Sequence, residues 1–196
     1  LADAPKLSAK QRAAAATAAA CLVCVPLTAS FEGLRTRPYR DPANIVTWCY
    51  GETQGPRKQV YTASECATLL ENRLATKYGP KVLECMPELS DPRMVNVFAA
   101  LLDASYNAGP VAVCLSPMAT KVRGDDVKGA CSAFTARYVV EGMVTPGWFT
   151  TARYRGPAKP AAAMRRAGWT WTGKNWRKIL PGLVTRRQKE MRLCLS

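Results

Sequence analysis

Residues 13–31, AAAATAAACLVCVPLTASF, run without a single charge, and a carboxylate, Glu32, follows at once. A stretch of this length and composition is either a helix laid against a protein core or a segment handed to a membrane. Upstream, residues 1–12 carry Lys6, Lys10 and Arg12 against Asp3, so a positive end precedes an apolar stretch, the layout of a secretory signal. As a permanent span the segment is weak. It only just crosses the hydrocarbon, many of its residues are alanine, and Pro26 kinks a helix. We read it as a marginal export or anchor segment, with a buried N-terminal helix as the plain alternative. Leu1 in place of methionine reads as a processed or trimmed start.

The remaining chain is long enough to build its own core. A 196-residue chain with 48% apolar residues folds as one domain or two small ones, and neither wholesale disorder nor a polytopic membrane protein fits. There is no histidine. That removes Ser-His-Asp and Cys-His nucleophiles and every His-ligated metal site, leaving carboxylates, cysteines, lysines and hydroxyls for chemistry. The 28 basic and 14 acidic residues give +14, and the excess lies mostly in 153–192, where Glu190 alone opposes the cations. A solvated basic face and a polyanionic partner, either nucleic acid or an anionic cell surface, both fit this charge.

Eight cysteines, at 21, 24, 49, 66, 85, 114, 131 and 194, are dispersed rather than gathered into metal knuckles, and read as disulfides formed outside the cytosol. Cys114 and Cys131 flank a loop and the following helix start, so they are expected to pair first, then Cys66 with Cys85.

Local signals place the elements. Ile45 to Tyr50 favours strand between turns at Asp41-Pro42 and Gly51, predicting a small β-hairpin or three-stranded sheet within 33–61. Thr62-Ala-Ser-Glu65 is a capping box for a helix through about Tyr78, stopped by Gly79-Pro80. Asp91-Pro92 starts a helix with Val95, Phe98, Ala99, Leu101, Leu102 and Tyr106 on its apolar face, ended by Gly109-Pro110. Another helix is expected from Asp126 to about Val139. A last one begins at Pro181, with Val184, the stem of Arg187, Met191 and Leu195 on one side. The stretch 142–176 is rich in Gly, Pro and Trp. Its aromatic-basic part, Trp169, Trp171, Lys174, Trp176, Arg177 and Lys178, suits sugars, nucleic-acid bases or a cap on the core.

A Glu/Asp pair is the natural acid–base machinery left to this chain. Glu32, at the end of an apolar helix, would be desolvated and so a usable acid, Asp41 in a polar turn would stay ionised, and the Thr47 hydroxyl could position water. That is the requirement of an inverting glycosidase, although the spacing alone equally allows Glu32 to be a helix cap or a partner of Arg35.

The whole phrase FEGLRTRPYRDPANIVTWCYGET, residues 31–53, closely resembles the catalytic signature of the phage-type lysozymes (endolysins, glycoside hydrolase family 24). YTASEC at 61–66, FAALLDASYNAGPVAVC at 98–114, with Asn107 and Gly109 in an Asn-x-Gly pattern, and PGLVTRRQKEMRLC at 181–194 continue the likeness. Residues of about 137–172 read as an insertion. Three departures stand out. Glu52 replaces a histidine, Asn44 replaces a turn glycine whose φ > 0 it can adopt, and Trp48-Cys49 replaces smaller residues.

The resemblance implies an α+β, lysozyme-like fold with a small β lobe and a larger helical lobe. Residues 1–31 would form a signal-anchor-release-like segment and the start of the first helix. Residues 32–196 would form the catalytic domain, with 32–61 the β-containing lobe and 62–196 the helical lobe. It implies a muramidase, with Glu32 as acid, Asp41 activating water and Thr47 holding it. Tyr39, Tyr50, Glu52 and Asn107 would line the substrate side. No cofactor or metal is expected. The implied partner is peptidoglycan, met by a monomer in the host periplasm after transient tethering to the inner membrane, with no nucleic acid involved. In some such relatives the tethered form is inactive, and a bond from Cys21 or Cys24 to Cys49 would constrain the catalytic strand. The rival reading from another class is a non-catalytic peptidoglycan-binding or virion structural protein on the same fold.

Overall fold

A computed structural model of the chain describes residues 7–41 and 44–196. Leu1, Asp3 and Lys6 of the expected positive end, and Pro42 of the expected turn, lie outside the described residues.

Helix α1 (Ala9–Glu32) opens on a capping box in which Ser8 and Gln11 satisfy each other's free backbone N–H groups. It runs unbroken through Pro26 and stops at Gly33, whose φ of +69° leaves the helical region. Thr17, Ala20, Cys21, Cys24 and Thr28 form one buried stripe, at the three- and four-residue spacing of a helix face. The opposite side stays open, with Leu22 75% exposed. Among the described residues α1 is the one helix long and apolar enough to cross a membrane.

Strands β1 (Arg35–Arg40) and β2 (Val46–Cys49) form an antiparallel hairpin with Tyr39 opposite Thr47 and Arg40 opposite Val46. The sheet expected over 33–61 is therefore two-stranded, extended only by mutual backbone bonds between Trp48 and Glu52. Asn44 takes φ +63°, as its replacement of a turn glycine required.

Helix α2 (Ala63–Arg73) starts at the Thr62–Glu65 capping box. Gly79-Pro80 does not stop it. A π turn over Leu74–Tyr78 hands the chain directly to α3 (Gly79–Cys85), with Pro80 in its first turn, at the junction between the two hydrogen-bonding patterns. Gly79 is needed for another reason: a Cβ there would lie 2.6 Å from the Thr17 methyl, so α1 and α3 could not approach.

After short 3₁₀ turns, α4 (Val95–Ala108) forms the centre of the core, with every residue from Val97 to Ser105 buried. Helices α1 and α9 (Pro181–Leu195) pack on it. Truncating Phe98 to alanine here would cost about 3–5 kcal/mol. Helices α5 (Pro110–Cys114), α6 (Pro117–Arg123) and α7 (Val127–Ala133) complete the helical lobe. The helix expected to reach Val139 ends at Ala133, because Glu141 and Gly142, both at positive φ, turn a hairpin of β3 (Tyr138–Val140) and β4 (Met143–Thr145). Then β5 (Thr151–Arg153), α8 (Ala161–Arg166), β6 (Thr170–Trp171) and β7 (Trp176–Ile179) form a three-stranded antiparallel sheet in the order β5-β7-β6. On α9 the buried face is Arg186, Arg187, Glu190 and Cys194, while Leu195, expected on it, is exposed.

The disulfides correct the expected pairing. Cys49 joins Cys66, Cys85 joins Cys114 and Cys131 joins Cys194, leaving Cys21 and Cys24 as buried thiols. Cys114–Cys131 and Cys66–Cys85 are not formed. Packing decides partners, not loop length: α3 lies on α5, α7 lies on α9, and the first turn of α2 lies on β2.

Candidate active site

Glu32 is the last residue of α1, so Gly33 turns the chain away just where the carboxylate reaches the surface. The Glu32 side chain is 25% exposed and its Oε1 accepts a 2.6 Å hydrogen bond from Nη1 of Arg186. Oε2 has no hydrogen-bond partner among the described residues. The alternative partner considered, Arg35, instead lies over the Tyr39 ring, 5.5 Å from its centroid.

Arg186 is held in turn by Asp103. Its Nε and Nη2 donate to the two carboxylate oxygens at 2.9 and 2.8 Å, and Thr28 Oγ1 donates to Asp103 Oδ1 at 2.7 Å. Burial works against the charge on Asp103, but the guanidinium bonds outweigh it and hold the carboxyl below its ordinary range. Glu190 has the opposite fate. Burial drives it well above the usual carboxylate range, although Arg187 donates to its Oε1 at 2.5 Å. Its Oε2 is buried with no hydrogen-bond partner among the described residues. Phe31 lies beneath both Arg186 and Lys189, each cation 4.9 Å from the ring centroid.

The hairpin supplies the other groups. Asp41 closes its mouth: the backbone N–H of Asp41 donates to the Ile45 carbonyl at 2.9 Å, and the Ile45 N–H donates to Asp41 Oδ1 at 2.8 Å. Thr47, buried on β2, donates to the Ile45 carbonyl at 3.2 Å, which leaves its oxygen lone pairs free to accept. The ladder thus brings Asp41 and Thr47 together, two rungs apart.

The lobes meet through tyrosines. Tyr106 on α4 donates to the Tyr50 carbonyl, and its ring lies 5.3 Å from that of Tyr78. Burial, then the negative field of Glu32, raises the Tyr106 phenol, so it remains a donor at neutral pH. Glu52 is not a free carboxylate in the cleft. Arg73 donates to its Oε1 at 2.5 Å, and the backbone N–H groups of Thr53 and Gln54 do so at 2.7 Å. Asn107 accepts from Arg187 at 3.1 Å, and Tyr39 is exposed on β1.

Sequence reasoning missed Thr28, Arg73, Asp103 and Arg186. For Asp103 a signal existed: a carboxylate within FAALLDASY sits on the buried side of the central helix and demands a cation.

An α+β frame with a larger helical lobe and small β-sheets, in which one helix ends on Glu32 and a neighbouring hairpin carries Asp41, matches a lysozyme-like architecture. The sequence profile of the phage lysozyme family matches residues 29–155, and the chain belongs to that family. It is 30% identical over 171 residues to the SAR-endolysin of Bacteriophage PS119, covering 84% of this chain and 76% of that one. The SAR-endolysin of Bacteriophage PS34 is similar at 29% identity, with the same coverage. Among solved structures, the muramidase domain of SpmX from Asticaccaulis excentricus superposes with a TM-score of 0.61 at 26% identity, over 89% of this chain and 95% of that one. The endolysin of Escherichia coli O157:H7 phage FAHEc1 matches in fold, with a TM-score of 0.53 at 20% identity over 100% and 97%.

Proposed function

We propose that the chain is an endolysin muramidase that cleaves the β-1,4 bond between N-acetylmuramic acid and N-acetylglucosamine in peptidoglycan. The observation that carries this reading is the division of labour within Glu32: Arg186 fixes Oε1, and Oε2 is left open to hold a proton for the leaving oxygen. Asp41, its carboxylate oriented by the Ile45 N–H, activates a water that Thr47 holds, and attack on the far face inverts the anomeric carbon. Binding at this site would place the glycan between the hairpin and the helical lobe. The test is clearance of outer-membrane-permeabilised Gram-negative cells by the parent protein and by Glu32→Gln, with the anomer of the first product followed by NMR. Lysis by Glu32→Gln at the parent rate ends the proposal.

Export with transient tethering by α1 is part of the same reading. It is supported by the length and apolar character of α1, by the open face around Leu22, and by the SAR-endolysin names of the relatives. While α1 lies in a bilayer, Thr28 and Glu32 are withdrawn from Asp103 and Arg186, and the site is incomplete. An exported full-length chain should pellet with membranes and be inactive. De-energising the membrane should then release soluble activity at unchanged mass. Release by cleavage, with α1 lost, would refute it.

A further inference from the structure

We propose that the sheet β5-β7-β6 carries a second, non-catalytic binding surface for the glycan strands of peptidoglycan, recognised through sugar rings and the carboxylates of the attached peptides. The proposal rests on the reading of the chain as a wall hydrolase, and concerns residues which that reading does not use.

The register of the sheet creates the surface. Directly paired residues share a face, so the pairs Trp171–Trp176 and Ala152–Lys178 lie on one side, and Thr170–Arg177, Arg153–Arg177 and Thr151–Ile179 on the other. The second side is closed by the β3–β4 turn, where Glu141 accepts from Arg177, Asn175 and Thr172. The first side keeps its aromatics in a row. Trp171 and Trp176 have ring centroids 5.5 Å apart at 55°, and Tyr154 meets Trp169 edge-on at 5.3 Å. Arg165 of α8 lies 6.0 Å over the Trp176 ring. Beside the row, Arg165, Gly168, Trp169, Thr170 and Trp171 line a depression of about 460 Å³. Trp171 is 50% exposed, and nothing in the fold explains leaving an indole there.

The charge around this row is also unspent. Arg155, Lys159, Arg165, Arg166 and Lys174 are all exposed, and none forms an ion pair among the described residues. Aromatic faces take the C–H faces of pyranose rings, and unpaired cations take carboxylates, so a glycan bearing acidic peptides satisfies both features at once. A lipid bilayer suits the surface less well. Trp171 is the one large apolar side chain that stands exposed on the three strands of the sheet, whereas interfacial insertion relies on several leucines or phenylalanines on one face. A second contact on the same polymer raises the local concentration of wall at the catalytic cleft, and only a substrate long enough to touch both sites benefits.

The test uses the full chain carrying Glu32→Gln, so that binding is measured without turnover, on purified sacculi. Trp171→Ala should weaken sacculus binding at least tenfold, and Trp171→Tyr should restore most of it. The double exchange of the exposed cations, Arg165→Ser with Lys174→Ser, should weaken it several-fold, with the difference vanishing in high salt. In the active background, the same exchanges should lower the rate on sacculi while leaving hydrolysis of a short soluble glycan oligomer unchanged. Unaltered sacculus binding by both Trp171→Ala and the cation pair overturns the proposal. So does equal loss on the short oligomer, which would make the sheet part of the catalytic cleft. An effect confined to phosphatidylglycerol vesicles or to duplex DNA likewise overturns it. If the parent binds sacculi through Trp171 but hydrolyses neither substrate, the surface stands and the muramidase reading falls.

Discussion

Thr28 donates a 2.7 Å hydrogen bond to the buried carboxylate of Asp103, and so joins the N-terminal helix to the group that holds Arg186 against Glu32. Glu32 therefore takes its place by two routes, its position at the end of α1 and a polar relay that closes only when α1 is docked. Thr28→Val keeps the shape but removes the donor. It should lower stability by about 1.5–3 kcal/mol, the range for a hydrogen bond to a charged group. It should also reduce kcat more than it raises KM, and both are measurable by urea unfolding and sacculus digestion. A variant with unaltered kcat would show that the relay does not reach Glu32.

Glu32→Gln tests the proposed acid. The amide can still accept from Arg186, so the fold should persist, while loss of the proton donor should slow lysis about 10²–10⁴-fold. Thermal melting and turbidity clearance on the same preparation separate the two effects.

Glu190 offers a pH test. Its carboxyl is raised in the folded state, so the native protein binds a proton that the unfolded chain has released. Stability contributed by this group is complete below the ordinary carboxylate range and declines as pH rises toward the folded value. Glu190→Gln carries no such proton, and its stability should fall less between acid and mildly alkaline pH than that of the parent. Asp103, held low, has the opposite sign, and its contribution disappears as pH drops below the ordinary range. Parallel urea titrations from pH 4 to 9 suffice; identical slopes for parent and Glu190→Gln would remove the buried proton.

Peptide mapping without reduction should recover Cys49–Cys66, Cys85–Cys114 and Cys131–Cys194, with Cys21 and Cys24 alkylated only after unfolding. The last bridge has a sequence separation of 63, so its removal by paired exchange to serine should cost about 4 kcal/mol in the chain-entropy account.

The parts of the fold that were legible in sequence are those fixed by local chemistry. The Thr62–Glu65 box, the Asp91 cap with Pro92, and the start at Pro181 all mark elements where expected. The hairpin carrying Thr47 was legible too, from β-branched and aromatic residues between turns. What could not be read depends on neighbours distant in sequence. Gly79-Pro80 looks like a stop until Thr17 of α1 is seen to need the missing Cβ. Cys114 looks like a partner for Cys131 until α3 brings Cys85 against it. The Arg186 partner of Glu32 is hidden for the same reason: an apolar helix leads to the carboxylate, but Arg186 arrives from the other end of the chain.

The three bridges tie together residues between Cys49 and Cys194, and none reaches α1. The body is stapled, whereas the rod bearing Glu32 is joined to it only by a short peptide link at Gly33 and by noncovalent contacts. Severing that link would divide the molecule into a cross-linked receptacle and a removable key. The key brings Glu32, and the receptacle retains Asp41, Thr47 and Arg186. Such a protein lends itself to complementation: a synthetic α1 peptide added to a body beginning after Glu32 becomes a titratable on-switch, whose Thr28 and Glu32 can be exchanged independently of the rest.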